Sequence, residues 1–230
     1  MQNIIRDSLI LGAQIEITIT PAGYWADVDD DPVDRAEHHV LQHFDPERGE
    51  QSERDHTEVL EIGDVQLEYR FIDWFDGDMH TVAVPVTVWP AQLPFDKDDG
   101  NEWASSSLRE WCNHEFYEAI PENWRQRIEP VTHDGVEDKV WIPSEAQVFG
   151  TAIFSDKELE DGEIPLFKTK ESRKLSDTQD HPRWWWTRSA NSGSSSFVPI
   201  VNTGGAADFN GAHSAYGAAL PCFNLARKGE

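Results

Sequence analysis

All ten tryptophans of this 230-residue chain come before Thr187, and the last three, Trp184, Trp185 and Trp186, are adjacent. A tryptophan ring buries a large area, so this many rings can anchor a hydrophobic core. Three adjacent rings favour a buried strand, because consecutive side chains of a strand point to opposite faces. An exposed platform that stacks sugars is the alternative interpretation. We therefore expect a folded chain rather than a disordered one.

The chain is strongly acidic, with a formal net charge of -24. This charge disfavours partners that select basic surfaces, so we expect neither nucleic acid nor an anionic membrane as a partner. The N-terminus lacks a basic region followed by a long apolar run, and no apolar stretch approaches about 20 residues, so we expect no signal peptide and no membrane span. Two cysteines, Cys112 and Cys222, are too few for a disulfide scaffold. We expect buried free thiols, with a disulfide between them as the alternative.

Strand patterns flank a helical region. Alternating hydrophobicity predicts strands at residues 15–19, 65–75 and 80–89, and Pro85 predicts that the last is an edge strand or carries a bulge. A helix is predicted from a cap at Ser105 or Ser106, and a second short helix opens at Pro121. The "DKVWIPS" stretch predicts a strand, and "EAQVFG" a short helix that stops at Gly150. Strands, then helices, then strands predict an α+β fold. The apolar face of the first helix consists of Leu108, Trp111, Cys112 and Phe116.

No motif predicts catalysis or a bound metal. His38, His39 and His43 could hold zinc, but their surroundings favour a solvated polar segment. The acidic run from Asp27 lacks the glycine and the glutamate that a calcium-binding EF-hand loop needs. His213 is the only histidine near the serine-rich stretch, and we interpret it as a surface residue. We therefore predict no catalytic residue, no metal ligand and no cofactor.

The tail has a different composition from the rest of the chain. Residues 189–226 contain no Lys, Glu, Gln, Met, Trp or Arg. An Asn codon randomised at its two adenines cannot yield Lys, Glu, Gln, Met or Trp, so many tail positions fit an origin in such codons. An ordinary Gly- and Ser-rich β tail with a chance gap in composition is the alternative.

Three motifs occur in a characteristic order: "SSSLREWCNHEFYEAIPENWRQRI", "DKVWIPSEAQVFG" and "WWWTRSANSGSSSF". Over residues 103–225 the chain resembles phage and prophage variable proteins of diversity-generating retroelements, which have a C-type-lectin-like fold related to formylglycine-generating enzymes. The family's template repeat is Asn-rich and begins "RSANSG", which Arg188 to Gly193 match directly. Other tail residues fall on fixed template positions: Ser195, Val201, Asn202, Gly205, Ala207, Ala212 and Gly217.

The resemblance implies a single C-type-lectin-like domain over residues 1–230, with two helices packed on short antiparallel sheets and long loops. It implies a variable region within residues 184–225, and leaves residues 24–57 as an acidic insertion or docking segment. It assigns a scaffold role to Trp111, Trp141, Trp185 and Arg188. The variable, ligand-binding positions would be Ser194, Ser196, Phe197, Ile200, Thr203, Gly204, Ala206, Asp208, Phe209, Asn210, Gly211, Ser214 and Tyr216.

The function implied by the resemblance is recognition of a protein or glycan on a host cell. Because the usual calcium-site residues of sugar-binding lectins are not visible in the sequence, we predict that binding is independent of calcium. Such a protein would be located in the virion, at a tail tip or fibre, or in the host cytoplasm before assembly. The N-terminal segment would dock to a tail structure or mediate homo-oligomerisation. The alternatives are a structural virion protein without a variable ligand and an enzyme of the formylglycine-generating type.

Overall fold

The computed structural model describes residues 3–8, 14–19, 56–75, 79–156 and 162–226. The chain divides into two compact units, Met1–Gln51 and Ser52–Glu230. In the first unit, β1 (Asn3–Ser8) pairs antiparallel with β2 (Gln14–Ile19), which confirms the strand predicted at residues 15–19. The histidines at 38, 39 and 43, the acidic run from Asp27, and all of the acidic segment except His56 and Thr57 lie outside the described residues.

The second unit is built on a five-stranded antiparallel sheet. It contains β3 (His56–Ile62), β4 (Val65–Phe75), β5 (Met79–Pro85), β6 (Ile128–Glu129) and β14 (Phe223–Leu225), in the order β3-β4-β5-β14-β6. Alternate residues of β4 point inward, as the sequence pattern predicted, so that Leu67, Tyr69 and Phe71 are buried. A strand near the end of the chain, β14, thus lies between β5, from the beginning of the unit, and β6, from its middle.

The prediction for Pro85 was wrong. β5 is an interior strand of the sheet, paired with β4 on one side and β14 on the other, and it ends at Pro85 rather than near Trp89. β14 contacts β5 only as far as Ala83, so the missing N–H of Pro85 removes no hydrogen bond to that strand.

The helical region begins with a 3₁₀ turn at Trp103–Ser105 and continues as α1 (Ser107–Trp111), a π-helical turn (Cys112–Phe116) and α2 (Tyr117–Ala119). Ser106 caps α1 by accepting a hydrogen bond from the backbone N–H of Arg109, as predicted. Leu108, Cys112 and Phe116 are buried, whereas Trp111 is half-buried and packs against Trp89 and Phe116.

Two further short helices follow. α3 (Glu122–Arg125) starts after Pro121, where the second helix was predicted. α4 (Glu145–Phe149) begins in a capping box between Ser144 and Gln147 and ends at Gly150, whose φ of 70° favours glycine. Both boundaries of α4 therefore follow from local sequence.

Three small antiparallel sheets complete the second unit. β7 (Val131–His133) pairs with β8 (Val136–Asp138), and β9 (Leu175–Ser176) with β10 (Pro182–Arg183). The third sheet has the order β11 (Trp185–Trp186), β12 (Phe197–Val201), β13 (Ala207–Gly211). The described chain is thus a mixed, sheet-rich α+β protein.

The tryptophan run belongs to the core, as predicted. Trp185 and Trp186 are fully buried, and Trp184 packs edge-on against Trp186. The indole N–H of Trp186 donates to the carbonyl of Leu93 at 2.9 Å, and that of Trp185 to the carbonyl of Arg173 at 3.2 Å. Each buried ring therefore has a hydrogen-bond partner for its polar atom.

The remaining scaffold positions are also held inside the unit. Trp141 is buried and donates from its indole N–H to the Asn224 side chain at 3.2 Å.

Cys112 and Cys222 are buried free thiols, as expected. Burial raises the pKa of both thiols well above their ordinary value, so neither presents a thiolate.

Candidate binding site

The predicted variable positions lie mainly on the hairpin β12–β13 and on the loop that precedes it. The two strands pair in register from Phe197 opposite Gly211 to Val201 opposite Ala207. The connecting turn is closed by Asn202, whose side-chain oxygen accepts from the backbone N–H groups of Gly204 and Ala206. The hairpin therefore has a defined register and a closed turn on which other side chains can be displayed.

One side chain from outside the tail fixes the preceding loop. Asn101 is 4% exposed, and its amide nitrogen lies within hydrogen-bond distance of the backbone carbonyls of Asn191, Ser194 and Phe197, at 3.2, 2.7 and 3.2 Å. The sequence does not point to Asn101, because an isolated asparagine far from the tail carries no local signal of its partners.

Most predicted variable side chains are at least partly exposed. Tyr216 is 70% exposed, Phe209 43% and Phe197 40%. Ile200 is the exception, with 5% exposure. The exposed or half-exposed positions are Ser194, Ser196, Phe197, Thr203, Gly204, Ala206, Asp208, Phe209, Asn210, Gly211, Ser214 and Tyr216.

The assignment of Ile200 to a variable surface therefore needs correction. β12 is the central strand of its sheet, and Ile200 is paired with Trp186 on one side and with Asp208 on the other. Its side chain joins the hydrophobic core cluster. Ile200 is thus a core residue, and a polar side chain there would be buried without a built-in partner.

Four of the positions expected to stay fixed are buried or sterically restricted. Val201 and Ala212 are fully buried. A Cβ on Gly217 would lie 2.0 Å from the indole nitrogen of Trp186, and one on Gly205, whose φ is 76°, would lie 2.1 Å from the carbonyl oxygen of Lys170. Ser195 is exposed, and nothing in the structure explains a constraint on it.

The predicted positions do not all meet at one place. Thr203 and Gly204 lie in the turn of the hairpin, which Arg173 holds by donating from Nε to the carbonyl of Gly205 at 3.0 Å. Ser194, Phe197 and Phe209 instead line a depression of about 380 Å³ near the other end of β12.

The depression is completed by two residues from outside the tail, Ile153 and Phe154. Phe154 packs edge-on against Phe209 with ring centroids 5.3 Å apart, and Phe197 contacts Phe209 at the same distance. Ile153 is 48% exposed. Ile153 and Phe154 were not predicted as site residues. Their only signal in the sequence is an apolar pair in an otherwise polar, irregular segment, and a pair that anchors a loop in the core gives the same pattern.

A buried carboxylate holds that apolar pair in place. Glu145 of α4 is fully buried and accepts hydrogen bonds from the backbone N–H groups of Ile153, Phe154 and Ser155 at 2.9 to 3.0 Å. It also accepts from the Ser155 hydroxyl at 2.7 Å. Its own backbone N–H donates to the hydroxyl of Ser189 at 2.8 Å, which links this loop to the start of the tail.

A second, acidic pocket of about 470 Å³ adjoins the depression and shares residues 191–194 with it. Its lining includes the carboxylates of Glu102, Asp134 and Asp156. The predicted scaffold residue Arg188 also lines it, is 2% exposed, and approaches Asp134 at 3.5 Å. Three carboxylates and one guanidinium give this pocket an excess of negative charge.

His213 lies in the tail but outside both pockets. It is exposed, as predicted, and its Nδ1 lies 2.6 Å from the Asp99 carboxylate. The hydrogen bond from His213 lowers the pKa of Asp99. Within the described ranges, no three His, Cys, Asp or Glu side chains converge as they would around a metal ion, and no helix is both long and apolar enough to span a bilayer.

Comparison with known proteins assigns the tail and the helical region to one family. A family model described as "Domain of unknown function (DUF6273)" matches residues 94–227, from just before the helical region to the end of β14 and slightly beyond. Neither the curated proteins nor the solved structures contain a match to the chain. Because the matched residues make up more than half of the 230, the chain belongs to the DUF6273 family.

Proposed function

We propose that this protein is a ligand-binding module that presents a diversified surface on a C-type-lectin-like scaffold. The observation that carries the proposal is the division of the tail into two classes of position. Those expected to vary are exposed or half-exposed, apart from Ile200, while Val201, Gly205, Ala212 and Gly217 are buried or sterically restricted. Substitution at the first class leaves the core intact, which a diversified surface requires.

The architecture is compatible with that scaffold. In the described residues, the continuous helical stretch from α1 to α2 and the short helices α3 and α4 accompany short antiparallel sheets, whereas the resemblance implies two helices on such sheets. Loops supported on a fixed core can carry recognition without destabilising the fold.

The exposed side chains suit recognition of a macromolecule. Phe197, Phe209 and Tyr216 offer aromatic contact area, and the serines, Asn210 and Asp208 offer adaptable hydrogen bonds. Antibody paratopes combine the same two classes of side chain. We propose a protein or glycan on a host-cell surface as the ligand and a phage or prophage as the source, with the protein carried at a tail tip or fibre.

The alternatives fit less well. An enzyme of the formylglycine-generating type would need reactive thiols, whereas Cys112 and Cys222 are buried with raised pKa values. A structural virion protein without a variable ligand would not need exposed aromatic rings on its tail.

A display library tests the proposal. One library randomises the exposed tail positions, and a matched library randomises buried tail positions such as Val198, Val201, Ala212 and Leu220. We expect most members of the first library to resist protease and to yield binders to unrelated target proteins, and few members of the second to fold. Equal loss of folding in both libraries would contradict the proposal, as would a first library that folds but gives no binder dependent on those positions.

A genomic observation tests the origin of the diversity. We expect a near-copy of the coding stretch for residues 189–220, differing only at adenines and located beside a reverse transcriptase gene. Without such a copy the diversification mechanism is wrong, although a binding role would remain.

For any ligand that the protein binds with its native tail, Phe209→Ala and Tyr216→Ala should abolish binding and leave the melting temperature nearly unchanged. The physical reason is that both rings lie outside the hydrophobic core cluster: Tyr216 is 70% exposed, and Phe209, which packs against Phe154 and Phe197, is 43% exposed. Titration calorimetry and thermal unfolding of the same samples measure both effects. A large drop in melting temperature would instead identify the rings as core.

A further inference from the structure

Exposed apolar side chains are concentrated at one place in the described chain. The large hydrophobic side chains most exposed to solvent are Val59, Ile153, Phe197, Phe209 and Tyr216. Three of these five line the depression next to β12, and Phe154 completes its wall. Scattered apolar residues are ordinary on a protein surface, whereas grouped ones mark an interaction site.

Two of the four apolar side chains that line this depression lie outside the tail. Ile153 and Phe154 precede it, and their loop is held by the buried carboxylate of Glu145. The loop is also tied to the tail, because the Ser192 backbone N–H donates to the Phe154 carbonyl at 2.9 Å. A wall fixed in this way loses little conformational entropy on binding, which favours affinity.

The chemistry next to the wall restricts what can bind there. The adjoining pocket carries the carboxylates of Glu102, Asp134 and Asp156 against the single guanidinium of Arg188. Asp208 on β13 is exposed as well, and the whole chain has a net charge of -24. An anionic ligand would be repelled, and a cation would be attracted into this pocket.

We infer that the loop at residues 151–156 is a constant part of the binding site, and that its occupant is a protein segment in which an apolar or aromatic side chain is adjacent to Lys or Arg. The apolar side chain packs against Ile153, Phe154 and Phe209. The cation enters the pocket beside Glu102 and Asp156. This inference rests on the proposed function, and it adds a bias toward basic protein partners that persists whichever residues the tail carries.

Short peptides of defined charge test the occupant. The isotope-labelled full-length protein is titrated by amide NMR with N-acetyl-Trp-Arg-amide, N-acetyl-Trp-Glu-amide and N-acetyl-Gly-Arg-amide. We expect Trp-Arg to shift the amides of residues 151–156, 191–194, 197 and 209. Its affinity should exceed that of Trp-Glu by about fivefold, as an ion pair near the surface permits, and added salt should reduce the difference. Gly-Arg should bind more weakly than either.

Matched variants test whether the Trp-Arg shifts depend on Ile153 and Phe154. Phe154→Ala and Ile153→Ser should each abolish the Trp-Arg shifts, and Val59→Ala, which removes an exposed apolar side chain from β3, should not. Glu102→Gln with Asp156→Asn should remove the preference for Arg over Glu. Since Ile153 is half-exposed, the Ile153→Ser protein should remain folded even if loss of the Phe154 ring disturbs the loop.

Several results would overturn the inference: no shifts with Trp-Arg up to its solubility limit, equal binding of Trp-Arg and Trp-Glu, or shifts of the same amides by methyl glycosides but not by peptides. Its failure is distinguishable from failure of the proposed function. If binders from the randomised tail library keep their affinity after Phe154→Ala and Ile153→Ser, the inference about the constant loop is wrong, whereas the proposed diversified binding surface still stands.

Discussion

Glu145 shows how one side chain determines the shape of a surface loop. Its carboxylate accepts three backbone N–H groups and one hydroxyl from residues eight to ten positions later in the chain. Backbone groups of an irregular loop need partners when water is excluded, and a carboxylate can accept several at once. The loop that carries Ile153 and Phe154 therefore depends on a residue located in α4.

Glu145→Gln should lower the free energy of unfolding by about 1–3 kcal/mol, because the amide nitrogen replaces an acceptor and faces backbone donors. Urea unfolding measures the change. Glu115→Gln, a substitution of the same type at an exposed residue, serves as the control and should change stability little. Equal stability of the two variants would contradict the role assigned to Glu145.

Asp177 should make stability depend on pH in the acid range. Desolvation by burial raises the pKa of Asp177. Hydrogen bonds from the backbone of Gln179, from Arg183 and from the backbone of His181 lower it by more than burial raises it, so the pKa falls from the ordinary 3.8 to about 2. A carboxyl group with a lowered native pKa stabilises the fold above its unfolded pKa. This contribution is lost as the pH falls from 3.8 through 2.

Comparison of the wild type with Asp177→Asn in urea at several pH values measures the effect. The wild type should be more stable at pH 5, and the difference should shrink as the pH falls through the range between 3.8 and about 2. A difference that stays constant with pH would contradict this assignment.

At the scale of secondary-structure elements, the hairpin β12–β13 combines constraint with freedom. Its central strand packs Val198, Ile200 and Val201 into the core, while Asp208 and Phe209 on the edge strand β13 remain exposed. An edge strand has one unpaired side and less cover from its neighbours, so its side chains can change at a smaller cost to packing. The strand position, more than the identity of each residue, sets which positions can vary.

Gly217→Ala should destabilise the protein by about 1–3 kcal/mol or more, because the added methyl group would overlap Trp186 in a packed region. Gly193→Ala is the matched control: its nearest neighbour would be the Asn191 side chain at 3.4 Å, an ordinary contact. Thermal unfolding of the two variants measures the contrast. If the two variants have the same melting temperature, the close approach of Gly217 to Trp186 does not restrict this position to glycine.

At the scale of the whole molecule, the described hydrophobic core lies within the unit Ser52–Glu230. A core of this size, with several fully buried tryptophans and phenylalanines, can support a domain without help from the first unit. The unit Ser52–Glu230 is therefore expected to fold by itself.

A fragment spanning residues 52–230 should fold cooperatively and keep the near-ultraviolet circular dichroism of the buried tryptophans. The reason is that this unit contains a large core of its own, with several fully buried tryptophans and phenylalanines. The full-length chain measured under the same conditions is the reference. Loss of the tryptophan signal, or a non-cooperative transition, would show that residues before 52 complete the core.

Sequence alone determined the features that depend on near neighbours. Alternating hydrophobicity predicted β2 and β4. Helix α1 begins after the capping side chain of Ser106, and α4 begins after that of Ser144 and ends at Gly150, which has a positive φ. The tryptophan run was correctly placed in the core, because three adjacent large rings have few other stable environments. Such signals act over a few residues and can be seen in the chain itself.

Only the tertiary structure decided which surfaces meet. Asn101 reaches the carbonyl of Ser194, 93 positions away, and Phe154 reaches Phe209 across the same depression. Ile200 is buried because β12 lies between two other strands, and β5 is an interior strand because β14 pairs with it as far as Ala83, two residues before Pro85. The physical reason is that periodicity reports the faces of an element, whereas burial depends on what packs over each face from distant parts of the chain.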